Sequence, residues 1–192
     1  MDIFLQIWGG SFYLINKIFF AFAEGKKNKT KRWMKINGWI IYILGVPAWV
    51  IILIMQHDWI AASIEAGGIP AMLFGLYNSF YYSKIINKKF DYISKTLTYL
   101  ALLLGIGFSL YDFGGITSIS QLLEIGVMVG FLMGSYYLAK SMPIGWVFFM
   151  LMNGSMGTLM LLQNKPILTV QQIISLSFVI YGYLKAVKIN SN

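Results

Sequence analysis

The 192-residue chain has no cysteine, so disulfides, thiolate metal sites and cysteine nucleophiles are excluded outright. It has a single histidine, His57, too little to build a histidine metal site or a Ser/His/Asp triad without that one residue. Charge is scarce as well, since Asp, Glu, Lys and Arg make up 11% of the chain, against about 25% in soluble proteins. Apolar residues fill the gap, at 58% with a mean hydropathy of +0.68. They fall in runs long enough to cross a bilayer core of about 30 Å, which predicts an all-α integral membrane protein with nothing sizeable outside the bilayer. Fifteen Lys and Arg stand against seven acids. Only Lys26-Lys27-Asn28-Lys29-Thr30-Lys31-Arg32 is dense, and a basic cluster beside an apolar run is a topology signal rather than a nucleic-acid surface. The expected partner is therefore the lipid bilayer, with no nucleic acid, no metal and no cofactor. A secretory leader is not expected, because Asp2 precedes the first apolar run, no basic segment comes before it and Lys17 interrupts it.

Taken in order, residues 3–23 read either as a first spanning helix or as an amphipathic helix on the surface. A basic loop over 24–36 leads to a span over 38–56, entered at Trp39 and containing Pro47, which frees a carbonyl one turn back and kinks the helix. A third span, 59–83, holds Glu65, Gly67-Gly68, Pro70 and Gly75. After a lysine-rich, water-facing segment, 97–111 is a fourth span that ends at Asp112-Phe113-Gly114-Gly115. Ser118-Ile119-Ser120-Gln121 has capping-box spacing and starts a fifth helix, 119–139, in which Gly126, Gly130 and Gly134 form a small-residue stripe for close packing. Pro143 suits the first turn of the sixth helix. Lys165-Pro166 suits the start of the seventh, which runs to about Lys185.

Seven spans place the loops alternately on two sides. One side collects thirteen Lys and Arg, the other only Lys165, with Lys17 left inside the first span. By the positive-inside rule the C-terminus is cytoplasmic and the N-terminus external, in the inner (plasma) membrane. The asymmetry also supports a spanning first helix.

The sequence repeats faintly. Gly38-Trp39, Gln56 and Gly75 lie 107 residues before Gly145-Trp146, Gln163 and Gly182, and the same offset carries Glu65 onto Gln172 and Phe74 onto Tyr181. The predicted architecture is two three-helix bundles joined by a linker helix (3+1+3), with a first repeat over 3–83, a basic loop and linker helix over 84–115 and a second repeat over 119–188.

This arrangement, with Gly-Trp entering the second helix of each half, resembles the PnuC-type vitamin transporters, relatives of the SWEET sugar carriers. The likeness is strongest from Leu123-Glu124-Ile125-Gly126 through Gly145-Trp146, Asn153 and Gln172 to Tyr181-Gly182, and looser over 37–83. It implies facilitated movement of a nucleoside-like or heteroaromatic vitamin such as nicotinamide riboside, trapped inside by phosphorylation, and no enzymatic activity. The family often has tryptophans after its Tyr-Gly; this chain has Gly75-Leu76-Tyr77-Asn78 and Gly182-Tyr183-Leu184-Lys185 instead.

A midplane site between repeated halves needs aromatic faces and a few hydrogen-bonding groups. Trp39 and Trp146 are the candidate stackers, although a tryptophan near a helix end is more often an interfacial belt residue. Asn153, halfway along its helix, either reads substrate or glues helices together. Gln172 fits a site, or a capping box at Thr169 if the last helix starts there; a start at Pro166 spans the bilayer better. Glu65 is an acid deep in a helix, expensive unless it faces protein or water. Tyr77, Asn78 and Tyr181 complete the substrate-binding candidates. Glu124 reads as structural, and Asp58 and Asp112 as loop residues.

The leading expectation is a facilitative transporter of a small heteroaromatic vitamin or nucleoside. Alternatives are a non-transporting membrane scaffold or assembly subunit, and a membrane-embedded lipid enzyme, for which the chain lacks clustered acids or histidines at one face. An internal cavity lined by both halves would mark the transporter, and a shut midplane the scaffold. A homo-oligomer is compatible with the sequence.

Overall fold

The computed structural model describes residues 2–55, 57–81 and 87–190. Gln56, the offset partner of Gln163, and the end of the third span over 82–83 lie outside the described residues. The elements are α1 (Asp2–Ala23), α2 (Asn28–Met55), α3 (Trp59–Gly67), α4 (Ile69–Tyr81), α5 (Lys88–Phe113), α6 (Ile119–Ala139), α7 (Ile144–Leu162) and α8 (Pro166–Asn190). Among the described residues the chain is all helix apart from its turns, and seven spans are long and apolar enough to cross a membrane, α3 and α4 together making one.

Three boundaries differ from the sequence reading. The basic loop is helical from Asn28, so α2 starts with two basic turns ahead of its apolar part. The fourth span starts earlier than residue 97: Asn87 caps α5 by accepting from the backbone N–H groups of Lys89 and Phe90, which pulls the lysine-rich segment into the helix. The third span is broken. Pro70 has no N–H to continue the ladder, and the Gly68 N–H closes a tighter turn onto the Glu65 carbonyl, so α3 ends and α4 starts afresh. Elsewhere the local signals hold. Ser118 Oγ accepts from the Gln121 N–H at the start of α6, while the Gln121 side chain ties Thr117, Gly115 and Ser109 together. The turn around Pro47 receives a neighbour's donor, the Trp8 indole, which bonds the Leu44 carbonyl at 3.1 Å.

Helix neighbours form a closed ring: α1 on α2, α2 on α3 and α4, α4 on α6, α6 on α7, α7 on α8, and α8 back on α1. The first helix of each half therefore packs on its own second helix and on the third helix of the other half. This is the reciprocal pattern of a two-fold arrangement. α5 lies outside the ring against α3, α4 and α6, with no counterpart at the α8–α1 seam.

Glycines set the closest approaches. A methyl at Gly130 would stand 2.5 Å from the Met152 backbone nitrogen, and one at Gly134 2.6 Å from the Phe149 ring, so the α6 stripe faces α7. In each half the tryptophan of the second helix lies against the glycine of the third, Trp39 on Gly75 and Trp146 on Gly182. These two contacts are related by the 107-residue offset. The first helices follow a longer offset of 117, which places Gly9 on Trp49 and Gly126 on Ser155 at matching depths. The ten extra residues of the first half are taken up between α1 and the apolar part of α2.

Candidate functional site

The ring is filled at its centre by side chains rather than by backbone. Tyr42 of α2 and Phe149 of α7, which share the 107-residue offset, touch each other edge to face at 6.3 Å between ring centroids. Two positions related by a two-fold arrangement meet only on its axis, so this contact marks the middle of the seam between the halves.

Lys17 projects onto that contact. Its ammonium lies 5.4 Å from the Tyr13 ring, 5.7 Å from Tyr42 and 5.5 Å from Phe149, and it donates a hydrogen bond to the Tyr13 carbonyl at 3.3 Å. The side chain is 1% exposed, and no carboxylate lies within ion-pair distance among the described residues. Aromatic faces stabilise a desolvated cation by about 2 kcal/mol, less than burial of an unpaired charge costs. Lys17 is held there by packing, about 9 Å of helix rise in from the end of α1.

Further polar groups are buried on the helices that meet at this seam. Asn16 is fully buried, with neither side-chain amide atom hydrogen-bonded; Asn153 is 1% exposed, its Nδ2 donating to the Phe149 carbonyl at 2.6 Å and its Oδ1 left over. Tyr42 Oη meets Ser135 Oγ at 3.3 Å across the seam. On the side away from the basic loops, the Tyr13 hydroxyl bonds the Glu65 carboxylate, so α1 and α3 share a polar link that leads toward Lys17.

The sequence-derived candidates divide. Glu65 and Asn153 belong to this central constellation. Trp39 and Trp146 are each 1% exposed and so are no belt residues, but their rings are occupied: Trp39 packs against Phe20, Tyr42 and Gly75, and Trp146 against Gly182. Gln172 is half-buried beside Gly157 of its own half. Tyr181 is partly exposed, next to Phe22 and under the Lys185 ammonium. Asn78 donates to the Ala139 carbonyl at 3.1 Å, sealing the end of α6, and Tyr77 packs on Phe90 and Tyr81. Those last two serve the basic end of the bundle. Sequence reasoning missed Tyr13, Asn16, Tyr42 and Ser135. Lys17 carried a signal, being a charge inside an apolar run.

The basic end is tied shut by ions. Glu24 pairs with Lys31 at 2.8 Å and Lys35 at 3.4 Å, and Lys35 also reaches Ser141 Oγ between α6 and α7 at 3.1 Å. Burial alone would raise the Glu24 carboxyl, but Lys35 and Lys31 beside it hold it below its ordinary 4.5. Asp91 on α5 pairs with Lys140 and accepts from the Tyr136 hydroxyl. A groove of about 480 Å³ runs between α3, α4 and α5, and a second of about 340 Å³ runs along α5; neither is lined by a residue of α6, α7 or α8. At the Tyr42–Phe149 contact the seam is closed, since both side chains are fully buried. No protein-family model, curated protein or solved structure matches this chain.

Proposed function

We propose that the protein is a facilitative membrane transporter of a small heteroaromatic solute, a vitamin or nucleoside, which crosses at the seam between its two three-helix halves. The observation that carries this reading is the unpaired Lys17 on the Tyr42–Phe149 contact, together with buried, unpartnered amide atoms of Asn16 on α1 and Asn153 on α7. Intramembrane ionisable and polar groups are expensive and mark solute or ion pathways. A subunit built only to pack would be more stable with apolar residues there. The reciprocal helix ring supplies the moving parts, because two similar halves can rock about a shared axis. The resemblance to PnuC-type carriers makes nicotinamide riboside the first solute to try, with cytosolic phosphorylation giving direction.

A second reading, a non-transporting scaffold, is favoured by the full burial of Tyr42 and Phe149 where the halves meet. Purified protein in proteoliposomes separates the two: saturable uptake of a labelled vitamin or nucleoside supports the transporter, and no uptake across a panel of both supports the scaffold. In this reading Glu65 accepts a hydrogen bond and couples no ion, so Glu65→Gln keeps most of the uptake, with or without a pH gradient. Proton-driven accumulation lost in Glu65→Gln would contradict that mechanism.

The thirteen-to-one charge asymmetry orients the proposed transporter in the plasma membrane with its basic, ion-tied end in the cytoplasm.

A further inference from the structure

We infer that the solute carries a carboxylate, and that this group docks on Lys17. The inference rests on the transporter reading, narrows its substrate class to acids and puts an aromatic acid in place of the cationic nicotinamide riboside as the expected solute. A cation enclosed by three rings has no acid within ion-pair distance among the described residues, so its counter-charge is open to an incoming group. Glu65 does not supply it, since its carboxylate is engaged by the Tyr13 hydroxyl. An incoming carboxylate would pair with the Lys17 ammonium, and Asn16, the preceding residue of α1, holds a buried Nδ2 donor without a partner. Of the two spare amide acceptors, Asn16 Oδ1 and Asn153 Oδ1, the second lies one helical turn from Phe149 and suits a ring N–H or hydroxyl. Tyr42 and Phe149 are the aromatic faces between which a planar ring would lie once the seam opens.

Charge then sorts solutes. A ring bearing a fixed positive charge, as in a pyridinium nucleoside, would meet Lys17 with repulsion, whereas an aromatic acid of the same size would meet attraction. The site is single and not duplicated, because the position 117 residues after Lys17 is Gly134, which has no side chain to offer. One anion per transport cycle follows.

Nicotinate and nicotinamide differ only in carboxylate against carboxamide and serve as the probes. In proteoliposomes of the wild-type protein, nicotinate uptake should exceed nicotinamide uptake at least tenfold. Lys17→Arg should keep that preference and Lys17→Met should lose it. In detergent, nicotinate and not nicotinamide should raise the melting temperature of the wild type. Should Lys17→Met fail to fold, the wild type and Lys17→Arg decide the matter by themselves. Preferred uptake of nicotinamide or nicotinamide riboside would overturn the carboxylate inference while leaving the transporter reading intact. Absence of any uptake, with nicotinate still stabilising the protein through Lys17, would sink the transporter and keep the anion site. With neither uptake nor stabilisation by nicotinate, the inference falls.

Discussion

The two halves of the ring share a plan and differ in chemistry. Both bury a tryptophan of the second helix against a glycine of the third, and both pack their first helix on the partner's third. The second half is the regular one: α8 is unbroken from Pro166 to Asn190, and the residues facing the centre are neutral. In the first half the third helix is broken at Gly68, and the two ionisable groups of the interior, Lys17 and Glu65, sit on α1 and α3. Packing is thus held in common, while the ionisable residues Lys17 and Glu65 near the centre and the helix break belong to one side. Shape shared between halves reflects what holds the bundle together; under the proposed transporter function, the asymmetry is where a solute would be handled.

If packing is shared, removing it should hurt both halves alike. Trp39→Ala and Trp146→Ala should each destabilise the protein by about 3–5 kcal/mol, the usual loss for a large buried aromatic. Thermal or denaturant unfolding in detergent would measure both. A large loss at one tryptophan and little at the other would break the equivalence.

The ion-tied end belongs to the first half and reaches across to the second, so it tests the asymmetric side. Glu24→Gln removes one partner of a buried ionic cluster, worth about 3 kcal/mol. The pH dependence has a definite sign. The folded carboxyl titrates below its ordinary 4.5, so its contribution is complete above the unfolded value and is lost as pH falls through the folded one. Melting temperatures of the wild type should therefore drop below about pH 4 more steeply than those of Glu24→Gln. Parallel curves would show that the cluster contributes nothing.

The smallest effect sharpens the 107-residue correspondence. A methyl at Gly182 would stand 2.6 Å from the Trp146 ring, and one at Gly75 would collide with Trp39 in the same way. Gly75→Ala and Gly182→Ala should each cost about 1–3 kcal/mol through overpacking, with matched unfolding profiles. A neutral change at either glycine would contradict the matched geometry.

Much of the scaffold was legible in the sequence because its signals are local. Apolar run length gave the seven spans, Ser118 marked the start of α6, and Pro166 began α8. The every-fourth glycines of α6 do face a neighbouring helix. The break at Gly68 was written there too, as Gly67-Gly68 with Pro70. It passed as part of one run because hydropathy is blind to a missing N–H. The centre was harder to read. A helix that is apolar all round does not announce which face meets the axis, so Tyr13, Tyr42 and Ser135 looked like any other residues of their spans. The first helices were hidden from the repeat by their separate offset, which pairs Lys17 with Gly134 and leaves only such matches as Leu5 with Leu122 and Gly9 with Gly126. Tyr77 and Asn78 were legible as polar but not as end ties, since their partners at Phe90 and Ala139 are set by the ring and not by the neighbouring sequence.

The central claim is that the two halves move against each other to pass a solute. The chain's lack of cysteine makes a direct test simple. Lys35 and Ser141 stand on opposite halves at the basic end, 3.1 Å apart at their tips. In the double variant Lys35→Cys/Ser141→Cys, a short bifunctional thiol reagent would join the halves, and reduction would release them. Uptake into proteoliposomes should fall to the protein-free background on cross-linking and return on reduction. Uptake that continues unchanged with the halves joined would contradict the account.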